Sequence, residues 1–266
     1  MADPAALAVL AERLRAMHAG PQPLVLPNAW DVASALAVER AGASAIATTS
    51  SGVAATLGYE DGEEIGADLM LDVVRRIASA VELPVTADLE AGYGRSADEL
   101  VTRMLEAGAV GLNLEDTVRV GAPRLGPMKP QAERIAAIRR AATAAGVPVV
   151  INARIDTFLR GSGDPEQSLA DAIARARAYL AAGADCVYPI TLDDADAIGR
   201  FVAEMDGPVN ILLRPGSPSL AQLTALGVRR ISVGGGLWRH AVRRAEEVAR
   251  GLLSGQDAAF GELGES

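Results

Sequence analysis

Four polar segments of the chain each follow an apolar run that is typical of a buried β-strand. They are Thr48 to Gly52, Asp88 to Glu90, Glu115-Asp116 and Asn152 to Asp156. If these strands are parallel and close into a barrel, all four segments point into one mouth of that barrel. The carboxylates could then hold a cation together, and Arg154 could hold an anion beside it.

The acidic residues have a spacing that suits a metal site. Asp88 and Glu90 are two residues apart, so on a strand their side chains point the same way. Glu115 ends the next predicted strand, which would lie about 4.8 Å away. Two carboxylates about 4 Å apart repel by roughly 4 kcal/mol at an effective dielectric of about 20, so they must hold protons, recruit arginine or bind a cation. Oxygen ligands without imidazole or thiolate favour Mg2+ or Mn2+. The alternative is that these acids cap helices or pair with arginines.

Other polar residues extend the candidate site. Arg154 could bind a carboxylate through two parallel hydrogen bonds, or it could simply pair with Asp156. Asn152 should face the same side as Arg154. The small residues at 49–52 could present backbone N–H groups to an anion. Tyr93, flanked by two glycines, is a candidate proton donor or a packing residue.

The rest of the sequence reads as alternating strands and helices. Strands are predicted near 24–29, 44–49, 84–89, 110–114, 148–153, 185–190, 209–213 and 230–234. Helices are predicted at 31–41, 64–80, 96–107, 129–145, 165–182, 193–205, 218–226 and 238–253. Several helices end in Ala-Gly or Leu-Gly, which fits the left-handed residue that closes a helix. Most strand runs are continuously apolar, as expected when both faces of a sheet are covered.

Eight such units predict an α/β fold, a (β/α)8 TIM barrel preceded by one helix. We expect a single barrel domain over residues 1–255 and a loose tail over 256–266. A doubly wound open sheet is the alternative, but no GxGxxG opens a helix after a strand. The long connections at 50–63 and 116–128 are expected to be loops that cover the site.

Composition excludes several classes of function. The net charge is −9 with no basic stripe, which argues against a nucleic-acid partner. Lys129 is the single lysine and opens a predicted helix, which disfavours a Schiff-base aldolase. Two distant histidines, His18 and His240, cannot make a histidine-rich zinc site. The one cysteine, Cys186, reads as a small buried hydrophobe and fits a reducing compartment. No signal peptide or membrane-spanning run is evident, so we expect a cytoplasmic protein with no membrane partner.

The segments DLEAGYG, LED and NARID resemble the isocitrate lyase/phosphoenolpyruvate mutase superfamily. The resemblance covers nearly the whole chain, from Asn28 to Trp238. It implies a (β/α)8 barrel that binds Mg2+ and a 2-oxo acid or related carboxylate, and that makes or breaks C–C or P–C bonds through an enolate-like species. It also implies a homo-oligomer, a dimer or homotetramer whose paired subunits exchange their last helix.

The resemblance assigns roles to the candidate residues. Asp88 resembles the direct metal ligand, and Glu90 and Glu115 resemble acids that hold metal-bound waters. Arg154 resembles the arginine that binds the substrate carboxylate, and Asp61 resembles an acid on the loop that closes over the site. The resemblance adds a group of substrate-binding positions: Ser51, Gly52, Val53 and Asn210.

Two departures from the resemblance leave the reaction open. The Lys-Lys-Cys-Gly-His segment of the lyases, whose cysteine is the general acid, is absent from DTVRVGAPRLGPM. Apolar Ile190 stands where lyases and mutases tend to have Glu or His. We expect C–C cleavage of a 2-oxo acid or small dicarboxylate by a lyase or decarboxylase. Phosphonopyruvate hydrolase or mutase chemistry, and binding of a 2-oxo acid without catalysis, are the alternatives.

Overall fold

The structure is a computed structural model that describes residues 3–255 of the chain. The loose tail predicted at 256–266 lies outside the described residues. The helices are α1 (Pro4–Met17), α2 (Val32–Arg40), α3 (Ser50–Thr56), α4 (Gly66–Ala80), α5 (Ala97–Glu106), α6 (Met128–Ala144), α7 (Thr157–Arg160), α8 (Pro165–Ala181), α9 (Ala195–Ala203), α10 (Leu220–Ala225) and α11 (Gly236–Leu253). The strands are β1 (Leu24–Leu26), β2 (Asn28–Ala29), β3 (Ile46–Thr48), β4 (Val85–Asp88), β5 (Gly111–Glu115), β6 (Thr117–Val118), β7 (Arg124–Leu125), β8 (Val150–Ile155), β9 (Cys186–Pro189), β10 (Asn210–Leu212) and β11 (Arg230–Ser232).

Eight parallel barrel strands follow one another around a closed ring. Segments β1 and β2 flank Pro27 and act as one barrel strand, because β1 pairs with β11 and β2 pairs with β3. The order continues through β4, β5, β8 and β9. A bridge between Val187 and Val209 joins β9 to β10, and β10 pairs with β11. The predicted (β/α)8 barrel is therefore confirmed, and its strand carboxyl ends share one mouth.

Local sequence signals explain where the elements begin and end. Helix α2 starts at a capping box, in which the Asp31 side chain accepts from the Ser34 backbone and Ser34 caps in return. Helix α5 ends before Gly108, which has φ +84°, a conformation that glycine adopts without strain. Strands β3 and β9 are buried throughout, as both faces of the sheet are covered.

Helix α1 closes the amino-terminal end of the barrel. Leu14 is fully buried, and its Cδ2 lies 2.9 Å from the point where a Cβ on Gly111 would be. Gly111 begins β5, so a glycine there lets the helix approach the strand ends closely. The barrel is thereby sealed at the end opposite the polar segments.

The two connections that the sequence predicts as long loops contain regular structure. The stretch at 50–63 begins with helix α3, which occupies Ser50–Thr56. The stretch at 116–128 contains an antiparallel hairpin, in which β6 pairs with β7. Helix α3 and the β6–β7 hairpin are too short to show a periodic pattern, so the sequence does not predict them.

Helix α11 follows the last barrel strand and buries none of its side chains fully. Val242, Leu252 and Leu253 on this helix are exposed. Among residues 3–255, no helix combines the length and the apolar character needed to cross a membrane.

Candidate active site

A cavity of about 320 Å³ opens at the carboxyl ends of the barrel strands. Residues from the three polar regions 49–61, 88 and 154 line it, together with residues that follow β9, β10 and β11. Of the predicted site residues, Ser51, Asp61, Asp88 and Arg154 are on its wall. The barrel thus brings together side chains that are more than 100 positions apart in the chain, as the parallel-strand argument requires.

Asp88 is the carboxylate that the cavity exposes at the end of β4. Its Oδ2 accepts hydrogen bonds from the Ser50 backbone N–H at 3.0 Å and from Ser50 Oγ at 2.9 Å. Within residues 3–255, its buried Oδ1 has no hydrogen-bond partner. Ser50 Oγ also lies 3.1 Å from Asp61 Oδ1. Burial, and then the negative charge of Asp88, raises the pKa of Asp61.

Glu90 lies near Asp88 and Asp61, but not for the reason that the sequence predicts. Strand β4 ends at Asp88, so the alternation of a strand does not place Glu90 beside it. Glu90 lies instead in a turn with φ +50°, which is uncommon for a residue with a side chain. Its Oε1 accepts a hydrogen bond from the Tyr93 hydroxyl at 2.9 Å. Burial, followed by the charges of Asp88 and Asp61, raises the pKa of Glu90 to about 8.

Glu115 is fully buried at the end of β5 and lies between two arginines. Its Oε2 is 2.7 Å from Arg154 Nη1. Its Oε1 accepts from Arg119 Nε at 3.1 Å and from Arg119 Nη2 at 2.6 Å. Burial raises the pKa of Glu115 to about 7, although the charge of Arg154 opposes this shift. Sequence reasoning missed Arg119, whose only signal is its position four residues after Glu115.

Arg154 makes the ion pair with Asp156 and also faces the cavity, so the two interpretations of this residue hold together. Nε lies 2.7 Å from Asp156 Oδ1, and Nη2 lies 3.2 Å from Asp156 Oδ2. With the ion pair to Glu115, all three guanidinium nitrogens lie within reach of an acid. The guanidinium has five N–H groups in all, so it can still bind a carboxylate that enters the cavity.

A second group of buried side chains holds Arg154 in place through a chain of hydrogen bonds. Asp156 is fully buried, and it also accepts a hydrogen bond from the Thr117 hydroxyl. The Asp156 backbone N–H donates to Asp116 Oδ1 at 2.9 Å. Asp116 Oδ2 in turn accepts from Arg175 Nη1 at 2.9 Å and from the Tyr179 hydroxyl at 2.8 Å. This chain links Arg154 to helix α8, which restricts the orientation of its guanidinium.

The acids could hold a magnesium ion with one direct protein ligand. Among residues 3–255, no three His, Cys, Asp or Glu side chains are arranged to hold a metal together. Mg2+ commonly retains several waters and takes only one or two carboxylates from the protein. Asp88 Oδ1, buried and unpaired in the described part of the chain, suits the direct ligand. Glu90 and Glu115 are close enough for their charges to act on one another, which suits acids that hold waters.

The remaining predicted residues differ in their access to the cavity. Ser51 lines it, whereas Gly52 and Val53 are buried in α3 behind the wall. A Cβ on Gly52 would lie 3.0 Å from Trp30 Cβ, so a larger residue would push against that ring-bearing side chain. Asn210 is fully buried, and its Nδ2 lies 3.3 Å from Ser232 Oγ. Tyr93 contacts Glu90 and is not part of the cavity wall.

The opposite wall of the cavity is largely apolar, with two exposed arginines, Arg214 and Arg239; Arg214 pairs with Asp193. Its apolar lining residues are Leu159, Ile190, Leu212, Leu213 and Pro215. Arg239, from the first turns of α11, also lines the cavity, and its Nη1 packs against Gly235 beside Ser51 Oγ. Arg239 was not predicted, because a basic residue in an amphipathic helix looks like part of a solvated face.

Cys186 takes no part in the site. It is fully buried in β9, and burial raises the pKa of its thiol to about 12. The thiol therefore stays protonated and inaccessible, in agreement with the prediction of a small buried hydrophobe.

Comparison with known proteins decides the family. A family model described as phosphoenolpyruvate phosphomutase matches residues 14–253 of the chain. The chain belongs to the isocitrate lyase/phosphoenolpyruvate mutase superfamily. The resemblance of the DLEAGYG, LED and NARID segments is thus confirmed over almost the whole chain.

Three relatives show the range of this superfamily. The 2-methylisocitrate lyase of Escherichia coli strain K12 is 34% identical over 197 residues, which cover 70% of this chain and 64% of the lyase. A solved structure from Burkholderia cenocepacia J2315 is 41% identical, covers 90% of this chain and 98% of its own, and superposes with a TM-score of 0.86. A phosphonopyruvate hydrolase, solved with oxalate and Mg2+, is 25% identical, covers 97% of this chain and 92% of its own, and has a TM-score of 0.83.

These superfamily relatives carry the names of different enzymes. One is named a 2-methylisocitrate lyase and another a phosphonopyruvate hydrolase. The prediction that the chain is an enzyme of this superfamily is confirmed, and the family match leaves the bond that it breaks to be argued from its own residues.

Proposed function

We propose that the protein is a Mg2+-dependent lyase or decarboxylase that cleaves a C–C bond in a 2-oxo acid or small dicarboxylate, through an enolate-like intermediate. The observation that carries the proposal is the placement of Asp88 and Arg154 on one cavity wall. Within the described residues Asp88 offers an unpaired carboxylate oxygen, and Arg154, held by Asp156 and Glu115, lines the same cavity and can bind a substrate carboxylate.

The metal would be held by Asp88 directly and by Glu90 and Glu115 through water; Mn2+ has the same ligand preference. When bound, the ion supplies a Lewis acid that stabilises negative charge as it develops on a substrate oxygen. Ser50 fixes the Asp88 carboxylate through two hydrogen bonds to Oδ2. Oδ1 would then be the oxygen that binds the metal ion.

The protein side chains would orient the substrate and move protons. Arg154, held by Asp156 and Glu115, would bind the carboxylate next to the 2-oxo group and favour negative charge beside it. Asp61 lines the cavity, and its raised pKa suits a group that accepts a proton more readily than an ordinary aspartate. Tyr93, which donates to Glu90 outside the cavity, would instead act by holding that acid in place.

Two further arginines on the cavity wall, Arg214 and Arg239, favour a substrate with two anionic ends; Arg214 is already paired with Asp193, so Arg239 is the one we assign to the second anionic end. Arg239 lies on the side of the eighth barrel strand, whereas Arg154 ends the fifth. A small dicarboxylate could be held between them, with its carbon chain against Ile190 and Leu212. Phosphonopyruvate cleavage is the second candidate function, because a phosphonate is also an anion that arginine binds through two hydrogen bonds.

Product analysis with and without Mg2+ tests the proposal. The substrates would be oxaloacetate, 2-methylisocitrate, alkyl-substituted malates and phosphonopyruvate. Pyruvate or another 2-oxo acid formed from the first three supports C–C cleavage, and phosphate released only from phosphonopyruvate supports the second candidate. Binding of the panel with no product would show a binding protein.

Substitution of Asp88 tests its assignment as the metal ligand. Asp88→Ala is expected to abolish both Mn2+ binding, measured by electron paramagnetic resonance, and turnover. Asp72→Ala, which removes an exposed carboxylate of α4, is the matched control and should retain both. Full Mg2+-dependent turnover by Asp88→Ala would refute the assignment.

A further inference from the structure

Inside the barrel lies an arginine that pairs with no acid among residues 3–255. Arg230, the first residue of β11, is 1% exposed and is the largest of the fully buried side chains in residues 3–255. Its Nη2 lies 3.2 Å from Asn113 Oδ1, across the barrel on β5. Its Nε and Nη1 have no hydrogen-bond partner in the described part of the chain. A charged residue within the apolar strand RRISV was a signal that sequence reasoning passed over.

The charge of Arg230 fixes the orientation of the Asn113 amide. A guanidinium has only donors, so the atom of Asn113 that faces it must be the oxygen. Asn152 Nδ2 donates to the same oxygen at 2.8 Å. Because Oδ1 of Asn113 accepts from both Arg230 and Asn152, the Nδ2 group on the other side of the amide is directed away from Arg230. The usual ambiguity between the oxygen and nitrogen of an amide is thereby removed.

The Asn113 side chain lies in the cavity, where its amide could contact a substrate. It lines the cavity, and its Cα is the register partner of Asp88 on β4 and of Asn152 on β8. In residues 3–255, Nδ2 of Asn113 donates to no protein group. Within the described residues, the cavity floor therefore carries an oriented N–H donor without a protein partner, between the proposed metal ligand and the strand that carries Arg154.

We propose that Asn113 is a substrate-binding residue that donates from Nδ2 to an anionic oxygen of the 2-oxo acid, and that Arg230 is the positioning residue that holds it from inside the barrel. This proposal rests on the proposed function. An interior cation also favours negative charge above it, since the low dielectric of the barrel strengthens their attraction. Arg230 would thus stabilise the anionic substrate oxygen in two ways: it orients the Asn113 amide, and its positive charge attracts the oxygen.

Oxalate binding in the presence of Mg2+, measured by titration calorimetry, tests the role of Asn113 without requiring turnover. Wild type should bind oxalate, and its failure to do so would count against the proposed function rather than against Asn113. Asn113→Ala should weaken oxalate binding about 10-fold or more, as expected for a hydrogen bond to a charged group. Asn113→Asp, which replaces the donor with a negative charge, should weaken it further.

Thr86→Val is the matched control for these variants. Thr86 is also a buried polar residue of the barrel interior, and its Oγ1 has no partner in the described residues. Its replacement should leave oxalate affinity unchanged. Equal affinity of wild type and Asn113→Ala would overturn the proposal.

A double-mutant cycle tests the positioning role of Arg230. Arg230→Met should weaken oxalate binding in the wild-type background but have little further effect in Asn113→Ala, because the amide that it orients is then gone. The same loss in both backgrounds would mean that Arg230 acts on the barrel generally, and would overturn its assignment. If circular dichroism shows that Arg230→Met is unfolded, Asn152→Ala replaces it in the cycle, since Asn152 is the other donor to Asn113 Oδ1.

Discussion

Arg119 places two guanidinium nitrogens on a single carboxylate oxygen of Glu115, with Nε at 3.1 Å and Nη2 at 2.6 Å from Oε1. The same Nη2 is 3.3 Å from Glu90 Oε2. A cation from the 116–128 connection therefore contacts both acids that we assign to metal-bound water, Glu90 and Glu115. Arg119 and a hydrated metal ion compete for the same negative charge.

Removal of this arginine is expected to strengthen metal binding. Arg119→Met should raise Mn2+ affinity about 10-fold, because two buried acids lose a competing cation near their carboxylates. Titration followed by electron paramagnetic resonance measures it. Arg124→Met, in the same hairpin, is the control and should not change affinity, because the Arg124 side chain donates to the Val120 carbonyl and contacts no acid among residues 3–255. Weaker Mn2+ binding by Arg119→Met would show that Arg119 supports the site.

The barrel and most acids of the site follow from local sequence, because most strand runs are continuously apolar and the polar segments come at strand ends. Asp88, Glu115 and Arg154 were predictable for that reason. The position of Glu90 was not, since strand alternation stops at Asp88 and a left-handed turn continues the chain. The short helix α3 and the β6–β7 hairpin were also missed, as neither is long enough for a periodic pattern.

Contacts across the barrel and between distant segments were beyond sequence reasoning for a different reason. Arg230 and Asn113 are 117 residues apart, and Arg175 and Asp116 are 59 residues apart. Each residue by itself looks like one more polar position. Their meaning depends on which strands face each other, which only the closed barrel determines.

The support of Arg154 by Asp156 should be measurable in both binding and stability. Asp156→Asn keeps the shape but removes the charge that holds Nε and Nη2 of Arg154. Loss of one partner from a buried pair costs about 3 kcal/mol of unfolding free energy. We expect that loss in denaturant unfolding and a weaker affinity for oxalate with Mg2+. Glu166→Gln, which breaks an exposed pair with Arg200, is the control and should change neither.

Arg239 should distinguish ligands by the number of their carboxylates. Arg239→Met is expected to weaken oxaloacetate binding about 10-fold and to leave pyruvate binding unchanged, since only oxaloacetate has a second carboxylate to lose a partner. Thermal shifts with Mg2+ present report both affinities. Arg243→Met, one turn further along α11 and outside the cavity wall, is the matched variant. An equal loss for both ligands would show that Arg239 does not bind the second carboxylate.

The exposed apolar residues of α11 lead to a prediction about assembly. We propose, by analogy with the superfamily, that this helix packs on a second copy of the chain. Val242 is 48% exposed, and Val242→Asp should shift the protein toward monomer in light scattering. Val9→Asp, at an exposed apolar position of α1, should leave the mass unchanged. A wild-type protein that is monomeric at high concentration would contradict the prediction.

His18 should make the stability of the fold depend on pH. It is 4% exposed at the end of α1; Nδ1 pairs with the Leu14 carbonyl, and Nε2 has no partner among the described residues. Burial, and then the positive charge of Arg230, lowers the pKa of His18 to about 4. The unfolded chain takes up this proton near pH 6.5 and the folded chain only near pH 4, so acidification through this window favours unfolding.

The expected size of that effect is about 3 kcal/mol of unfolding free energy between pH 6.5 and pH 4. His18→Leu removes the titrating group, so its unfolding free energy should fall less than that of wild type over the same interval, with the difference fully developed at pH 4. Urea unfolding at a series of pH values measures it. The same series on His240→Gln, an exposed histidine of α11, controls for the loss of a histidine in general. Parallel curves for wild type and His18→Leu would mean that His18 can be protonated within the fold, and therefore that α1 yields to admit water at the amino-terminal end of the barrel.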